Sequence, residues 1–241
     1  MTVLPDLSRR ATESELLDEG VPEEEALRSL GDLRLVNRWL GGRRSLYGAV
    51  RPYLAGGSRL LDVGCGSADL PAFLLRSLPA RVVAVGLDIK ALHLRQAPPG
   101  IHRVVGDVHA LPFAKRSFDV VTASLFLHHI DPPEVAAVLR TLFDLARRAL
   151  VINDLHRARL PLVFASTVFP WVLRSPVSVS DGLLSIRRAF RPEELAAAFA
   201  EAGIGRVTIR RGFPYRLVAV AEQPREAMTS GPARASAEAT A

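Results

Sequence analysis

Residues 60–66 read Leu-Leu-Asp-Val-Gly-Cys-Gly, and this stretch decides the fold. Its leucines close a short apolar run, which is typical of a buried parallel strand. Gly64 and Gly66 allow a tight backbone turn that a residue with a Cβ atom makes only at a cost. Asp69 is able to cap a helix, and Pro71 is tolerated in a first helical turn. A strand, a glycine turn and a helix in succession place backbone N–H groups against a nucleotide-like ligand.

Three further apolar runs carry polar residues where they end. Residues 82–89 predict a second strand, and Asp88 at its end can accept hydrogen bonds from both hydroxyls of a ribose. Val-Val-Gly-Asp-Val at 104–108 predicts a third strand. Residues 118–124 predict a fourth, which continues into Leu-His-His at 127–129. Four such strands favour ligand binding at the carboxyl edge of an open α/β sheet.

The spacing of glycine and acidic residues separates two families of nucleotide-binding fold. The NAD fingerprint requires a third glycine three residues after the second, and this chain has Asp69 there. The ordered set consists of Asp62, Gly64, Gly66, Asp88, Asp107 and Phe-Asp-Val-Val at 118–121. This set resembles the class I S-adenosylmethionine-dependent methyltransferases over residues 30–222. That family often has a third glycine where Ala68 stands, and we expect this small replacement to cost little.

The resemblance implies an α/β fold with a Rossmann-like open, mostly parallel seven-stranded sheet and helices on both faces. Helical spacing of apolar residues predicts a helix over 133–148, and a fifth strand follows at 149–154. The patterns at 206–210 and 217–221 predict a C-terminal antiparallel hairpin, as the resemblance also implies.

The same comparison divides the chain into three parts. Residues 1–55 are expected to form an N-terminal helical cap region. Residues 56–222 are expected to form the S-adenosylmethionine-binding methyltransferase domain, with an acceptor-side insertion at about 156–190. Residues 223–241 contain almost no large apolar side chain and are expected to be a disordered tail.

Within the cap region, residues 1 to about 20 are polar and are expected to be loosely held. A helix is predicted to begin at Pro22 and to end before Gly41. By resemblance, Asn37, Arg38 and Tyr47 could face the pocket, but a packing helix with a polar outer face is the favoured interpretation.

S-adenosyl-L-methionine is the cofactor that the resemblance implies. The residues assigned to it are Asp62, Gly64, Gly66, Ser67, Asp88, Ile89, Asp107, Val108, Ser124 and Leu125. Backbone at the glycines would approach the methionine part, Asp88 would bind the ribose hydroxyls, and Asp107 would accept from the adenine amino group. Asp62 would accept from a turn amide or from the cofactor's ammonium group, or would serve as a structural carboxylate that ties the glycine loop. Asp119 is expected to serve the fold.

Methyl transfer is an in-line displacement at a sulfonium, so alignment of two reactants supplies much of the rate. A general base is needed only where the acceptor must lose a proton, and imidazole is the usual choice near neutral pH. The candidates are His128, His129 and His156, which follow the fourth and fifth strands. Alternatively, the Leu-His-His sequence, frequent in the family, only packs or caps beside the cofactor. No spacing of these residues matches a zinc pattern, so no metal is expected.

Residues 158–174 bear on the methyl acceptor. This run is rich in Leu, Val, Phe and Trp and is broken by Pro161 and Pro170. It is either ordinary core or a lid over an apolar pocket, and shallow attachment to a membrane surface is a third alternative. As a lid, it indicates O- or C-methylation of a small hydrophobic acceptor that is phenolic, quinol-like or polyketide-like.

Composition excludes several classes of protein. The chain has 241 residues, 49% of them apolar, and no run long enough to cross a membrane. Its formal charge is +6, but the arginines are scattered, so nucleic acid is not expected as a partner. The first ten residues lack the apolar core of a secretory signal. The single Cys65 suits a reducing cytoplasm, and it is expected to fill space rather than to act as a nucleophile.

Two other functions stay open on this evidence. A nucleic-acid or protein methyltransferase predicts a contiguous arginine face beside the pocket and binding that weakens steeply with salt. A catalytically inactive protein would bind S-adenosylmethionine without turnover.

Overall fold

The computed structural model describes residues 6–224. The strands are β1 Arg59–Val63, β2 Val83–Asp88, β3 Ile101–Val105, β4 Phe118–Ser124, β5 Ala146–Leu155, β6 Val207–Gly212 and β7 Arg216–Glu222. The helices are α1 Leu16–Glu19, α2 Glu23–Trp39, α3 Gly42–Val50, α4 Asp69–Ser77, α5 Ala91–Arg95, α6 Val135–Leu145, α7 Arg159–Val172, α8 Pro176–Arg188 and α9 Pro192–Glu201. Among the described residues, no helix has the length and apolar character needed to span a bilayer. Most of the predicted tail lies outside the described residues.

The seven strands form one sheet in the order β3-β2-β1-β4-β5-β7-β6. β1 pairs in parallel with β2 and β4, and β3 and β5 continue the parallel arrangement on either side. β7 runs antiparallel to both β5 and β6. The predicted fold class and its terminal hairpin are therefore confirmed. Because strand order reverses between β1 and β4, a crevice forms outside their carboxyl ends.

The sheet separates two apolar layers, as β1 shows. Leu60 and Leu61 are both fully buried and point to opposite faces, since side chains alternate along a strand. Leu60 packs in a cluster with α3 and α4, and Leu61 in a cluster with α6 and α9. Each such leucine stabilises the fold by about 2 kcal/mol. A third cluster joins Leu7 to apolar side chains of α7 and α8.

The boundary between α6 and β5 differs from the prediction. The predicted helix over 133–148 ends at Leu145, and β5 begins with Ala146, which pairs with Phe118 of β4. Arg147 and Arg148 therefore lie in the strand, with exposed side chains. Pairing with β4 satisfies backbone groups that a longer helix would otherwise satisfy, and helical periodicity alone does not reveal this competition.

The prolines at 161 and 170 do not break the segment that contains them, contrary to the sequence prediction. Pro161 lies in the first turn of α7, where its missing amide has no helical partner. Pro170 lies in the last turn, so the helix ends soon after it. The helix buries Leu162 and Phe169 and leaves Trp171 exposed, so one face packs as core while the other meets solvent.

The glycine turn takes the left-handed conformation at three positions. Gly64, Gly66 and Ala68 have φ of +63°, +54° and +54°. This conformation costs an alanine about 1–2 kcal/mol, and burial of the Ala68 methyl group offsets about 0.8 kcal/mol, so the small expected cost stays a prediction. Asp69 is the first residue of α4 and makes no capping bond, so its predicted role as a cap is wrong.

Cys65 fills space against β2, as expected. Burial raises the pKa of its thiol well above the usual value, so it is a poor nucleophile. Its Sγ packs so closely on Gly86 that an added Cβ there would lie 2.8 Å from the sulfur.

This contact generates a matched pair of predictions. Gly86→Ala is expected to lower the free energy of unfolding by about 1–3 kcal/mol, because the buried strand cannot move away from Cys65. Gly31→Ala, at an exposed position of α2 with open space around it, is expected to raise this free energy by about 0.5–1 kcal/mol through helix propensity. Urea denaturation measures the change in the free energy of unfolding for both variants. Equal changes would contradict the close packing of Gly86 on Cys65.

Candidate active site

A cavity opens at the carboxyl ends of β1 and β4, beneath α2, α7 and α8. The predicted residues that line it are Asp62, Gly64, Gly66, Ser67, Ser124, Leu125, His128 and His129. The predicted residues outside its lining are Asp88, Ile89, Asp107, Val108 and His156. The structure therefore brings together the predicted residues of β1 and β4, and leaves those of β2 and β3 along the neighbouring part of the same sheet edge.

Asp62 lies at the floor of the cavity and is almost completely buried. Its Oδ1 accepts a hydrogen bond of 2.6 Å from the Thr122 hydroxyl on β4. Burial raises the pKa of Asp62 to about 7, nearby Asp69 and Asp88 add to the rise, and the Thr122 bond opposes it. The sequence suggested that Asp62 ties the glycine loop. Its hydrogen bond goes to Thr122 on β4 instead.

Asp88 is the carboxylate that holds the glycine turn. Its Oδ2 accepts from the Gly66 amide at 2.8 Å, and its Oδ1 accepts from the Lys90 amide at 2.8 Å. His93 lies 3.4 Å from the same carboxylate. An ionised carboxylate has about four acceptor positions, so these bonds leave capacity for ribose hydroxyls.

The residues after β2 and β3 differ in exposure. Ile89 is 63% exposed, beside the turn that Asp88 holds. Asp107 is exposed and accepts from the His109 amide at 2.9 Å, which caps the short turn 108–110. Val108 is buried in the sheet core. Asp119, by contrast, accepts from the Arg59 amide at 2.8 Å at the opposite edge of the sheet, which confirms its structural role.

Leu125 marks the point where the chain leaves β4. Its φ of +51° is left-handed, a conformation that costs a residue with a side chain about 1–2 kcal/mol. Its amide donates to the carbonyl of Asn153 on β5 at 3.0 Å, which holds the strained turn. The turn directs residues 127–129 over the cavity.

Two histidines and three carboxylates meet there. His128 is 2% exposed, and its Nδ1 lies 2.6 Å from Asp154 Oδ1. His129 Nδ1 lies 2.6 Å from Asp18 Oδ2. The Nε2 atoms of His128 and His129 lie 3.5 and 3.8 Å from the carboxylate of Glu15. We call Glu15, His128 and His129 the Glu–His–His cluster.

The charges in this cluster follow from its neighbours. Burial alone would lower the pKa of His128, but the carboxylates of Asp154 and Glu15 outweigh it and raise the pKa to about 9. Burial would raise the pKa of Asp154, and the His128 charge and hydrogen bond lower it to about 2. His128 is therefore an imidazolium in this arrangement and a poor proton acceptor.

Residues 6–20 pack across the cavity, contrary to the expectation of a loosely held segment. Glu15 is buried, and the Ser185 hydroxyl donates to it at 2.6 Å. The amides of Leu16 and Leu17 donate to the carboxylate of Asp181 in α8 at 2.9 and 3.0 Å. Sequence reasoning named neither Glu15 nor Asp18, because a polar segment held by side-chain bonds has no apolar pattern to reveal it.

Two arginines fix the turn that carries the histidines. Arg10 donates to the carbonyls of His128 and Ile130, both at 3.1 Å. Arg188 donates to the carbonyls of His128 and His129 at 3.0 and 2.8 Å. These backbone bonds hold the turn while the imidazole rings line the cavity.

His156 lies outside this site. It lines an adjoining cleft, which shares Pro161, Tyr215 and Arg216 with the cavity, and its amide donates to the Tyr215 carbonyl at 3.1 Å. Burial lowers the pKa of His156, and Arg211 lowers it further. His156 is absent from the cavity lining, and its role as a base stays a prediction.

The walls of the cavity suit a zwitterionic cofactor. A Cβ added at Gly66 would meet only Leu30, at 3.8 Å, so the glycine turn faces open space. Arg216 Nη1 is buried on the cavity wall without a hydrogen-bond partner among residues 6–224, and Asp69 Oδ2 there has only an ion pair with Arg43, at 3.5 Å. Between them, Asn37 donates to Asp69 at 3.2 Å and accepts from Arg216 at 3.3 Å. An ammonium and a carboxylate group, as methionine carries, would satisfy such orphaned atoms.

Known proteins place the chain in one family. Residues 60–149 match the family model described as a methyltransferase domain. A demethylmenaquinone methyltransferase of Roseiflexus sp. (strain RS-1) is 29% identical over 227 residues, which cover 87% of this chain and 92% of that protein. That of Roseiflexus castenholzii is 30% identical over 169 residues, 63% of this chain and 70% of the relative. A ubiquinone biosynthesis O-methyltransferase of Bordetella parapertussis is 30% identical over 167 residues, 66% of each chain.

Solved structures show the same fold. The plantazolicin methyltransferase BpumL, in complex with a triazolic desmethylPZN analog and SAH, has a TM-score of 0.62 at 14% identity and covers 82% of this chain and 91% of its own. A SAM-dependent methyltransferase from Aquifex aeolicus has a TM-score of 0.59 at 13% identity, over 84% of this chain and 99% of its own. The chain belongs to the class I S-adenosylmethionine-dependent methyltransferases. Its cofactor is S-adenosylmethionine.

The buried carboxyl at the cavity floor predicts a pH-dependent stability. Because the pKa of Asp62 is higher in the folded chain than in the unfolded one, stability falls as pH rises from about 4 to 7 and then levels off. Asp62→Asn has no carboxyl to titrate at this position, so its stability does not fall in this way. The free energy of unfolding of the variant minus that of the native chain should therefore rise by about 2 kcal/mol between pH 5.5 and pH 8. Urea denaturation at both pH values measures the difference, and a constant difference would contradict the raised pKa.

Proposed function

We propose that this methyltransferase transfers the methyl group of S-adenosylmethionine to an oxygen or carbon atom of a small hydrophobic acceptor of phenolic or quinol type. The observation that carries the proposal is the composition of the cavity. Beyond the glycine turn its wall is mostly apolar, with polar side chains such as Asp32, Ser178 and Asp181 among it, and it includes the charged Glu–His–His cluster. Such a site fits a molecule with an apolar body and one polar, ionisable group.

The apolar wall comes from the end of β5, from α7 and α8, and from the β6–β7 turn. Its members are Leu155, Pro161, Phe164, Phe169, Leu173, Ile186 and Tyr215. The ring of Phe164 lies 6.4 Å from that of Phe169 and 5.7 Å from that of Tyr215. These rings would pack around an aromatic acceptor, since offset and edge-to-face ring contacts are favourable. The relatives named for demethylmenaquinone and ubiquinone biosynthesis support a quinol-like acceptor.

The cofactor would extend along the carboxyl edge of the sheet. We assign its methionine part to Asp62, Ser67 and the backbone at Gly64 and Gly66, with Ser124 and Leu125 beside the methyl group. The ribose would reach Asp88 and Ile89, and the adenine Asp107 and Val108. The strand order β3-β2-β1-β4 supports this assignment, because it sets these three groups of residues side by side.

When bound, S-adenosylmethionine supplies an electrophilic methyl group on a sulfonium. The chain's own residues then have two tasks. The apolar wall excludes water and aligns the acceptor, which supplies much of the rate in a two-reactant displacement. The carboxylate of Glu15, which lies on the cavity wall, would accept a hydrogen bond from an acceptor hydroxyl and so orient its oxygen. The acceptor's electron pair forms the new bond to the methyl group as the carbon–sulfur bond breaks.

This proposal gives the parts of the chain distinct roles. Residues 56–222 would bind the cofactor, and the insertion at about 156–190 would form the acceptor side. The N-terminal region to residue 55 would cover both, as the positions of Glu15, Asn37 and other residues on the cavity wall support.

Methyl transfer from labelled S-adenosylmethionine tests the function directly. A panel of phenols and quinols with short and long apolar tails is compared with RNA and with protein substrates. We expect labelling of the phenols or quinols. Labelling confined to RNA or protein would favour the other methyltransferase class, and cofactor binding without any turnover would indicate an inactive binding protein.

The aromatic wall is tested with two phenylalanines. Phe164→Ala is expected to raise KM for a soluble aromatic acceptor about tenfold, because it removes more than one kcal/mol of apolar contact. Affinity for S-adenosylmethionine should not change. Phe213→Ala is the control, since that side chain is 90% exposed and lies outside the cavity lining. Equal effects of the two variants would contradict the proposed acceptor wall.

The cofactor assignment is tested at two aspartates. Asp88→Asn is expected to weaken binding of S-adenosylmethionine at least tenfold by calorimetry, because hydrogen bonds to a charged acceptor are worth about 1.5–3 kcal/mol. Asp119→Asn, which alters a structural carboxylate at the other edge of the sheet, should retain native affinity. Loss of affinity in both variants, or in neither, would overturn the assignment of Asp88.

A further inference from the structure

The Glu–His–His cluster has the geometry of a metal site, although the sequence predicted none. One ring nitrogen each of His128 and His129 and a carboxylate oxygen of Glu15 lie within 4.8 Å of one another. His128 Nε2 lies 3.5 Å from Glu15 Oε1, and His129 Nε2 lies 3.8 Å from the other carboxylate oxygen, Oε2. Ligand atoms about 2.1 Å from a tetrahedral zinc ion are about 3.4 Å apart, so small side-chain rotations suffice.

The contacts of the other ring nitrogen, Nδ1, in each histidine support the same interpretation. Asp154 holds Nδ1 of His128, and Asp18 holds Nδ1 of His129, both at 2.6 Å. Both rings therefore turn Nε2 toward Glu15. Histidine ligands of metal ions are held in this way, by a carboxylate that accepts from the other ring nitrogen.

The surrounding charges favour a cation. Three carboxylates contact the two imidazoles, and a fourth, Asp181, lies in the adjoining cavity wall. Arg10, Arg188 and Lys90 keep their positive charges nearby, and their hydrogen bonds go to backbone carbonyls of the histidine turn and of residues 17 and 18. The carboxylates are therefore the charged groups in direct contact with the two imidazoles.

We propose that Glu15, His128 and His129 bind one divalent transition-metal ion, of which zinc is the best match. Two imidazole nitrogens and one carboxylate oxygen form the donor set of open zinc sites, in which a fourth position is left for water or substrate. All three residues line the cavity, so that position would face the acceptor.

The consequence for catalysis rests on the proposed function. The ion would take the place of the proton on His128 and would accept an oxygen of the phenolic acceptor. Zinc lowers the pKa of a coordinated water to about 7, and a phenol is already more acidic than water. The hydroxyl proton would pass to solvent, and no oxidation or reduction is involved.

Metal binding by the full chain tests the proposal without any acceptor. Protein stripped with a chelator is titrated with Zn²⁺ against a chromophoric competitor, and with Co²⁺, whose visible absorption reports low coordination number. We expect one equivalent per chain. Glu15→Gln and His129→Gln should each weaken binding at least 100-fold, and Asp18→Asn about tenfold through the orientation of His129.

A second histidine–carboxylate pair provides the control. His109 and Glu134 lie 3.9 Å apart on the surface, and His109→Gln and Glu134→Gln should bind zinc as the native chain does. Affinity for S-adenosylmethionine shows that each variant is folded. The proposal is overturned if folded native protein takes up no metal, or if Glu15→Gln and His129→Gln bind it normally. Neither result depends on finding the methyl acceptor. Failure of the metal proposal can therefore be distinguished from failure of the proposed function.

Discussion

The contact between Asp154 and His128 organises the site. Asp154, near the end of β5, accepts from the His128 amide at 3.1 Å, lies 2.6 Å from its ring nitrogen, and accepts from the Leu155 amide at 2.7 Å. Both side chains are buried, so removal of one partner would leave an uncompensated charge at a cost of about 3–5 kcal/mol. This pair fixes the turn after β4, and the N-terminal segment packs on that turn through Glu15 and Arg10.

The two halves of the cavity are built differently. On the cofactor side, backbone conformation dominates: a left-handed glycine turn is held by the Asp88 carboxylate and faces open space at Gly66. On the acceptor side, long side chains from α7, α8 and the β6–β7 turn surround the space. The first arrangement depends on residues close together in sequence, and the second on contacts between distant segments. The acceptor half is therefore where relatives of one fold can differ in substrate.

The predictions that succeeded and failed divide along the same line. Gly64, Gly66 and the strand pattern around Asp88 were recognisable because a turn and a buried strand impose local residue requirements. The boundary at Ala146 was wrong because pairing with β4 competes with helix formation, and the continuity of α7 was missed because Pro161 and Pro170 lie in its end turns. The cofactor roles assigned to Asp88 and Asp107 stay predictions.

The sequence by itself determined the sheet, the glycine turn and hence the methyltransferase family, because these depend on short stretches whose periodicity and special residues are visible in the chain. Only the tertiary structure decided that Glu15 and Asp18 meet His128 and His129, more than a hundred residues away. Polar side chains that pair across such distances leave no periodic pattern. Their partners are selected by the geometry of the folded sheet edge, together with the high cost of burying a charge without a partner.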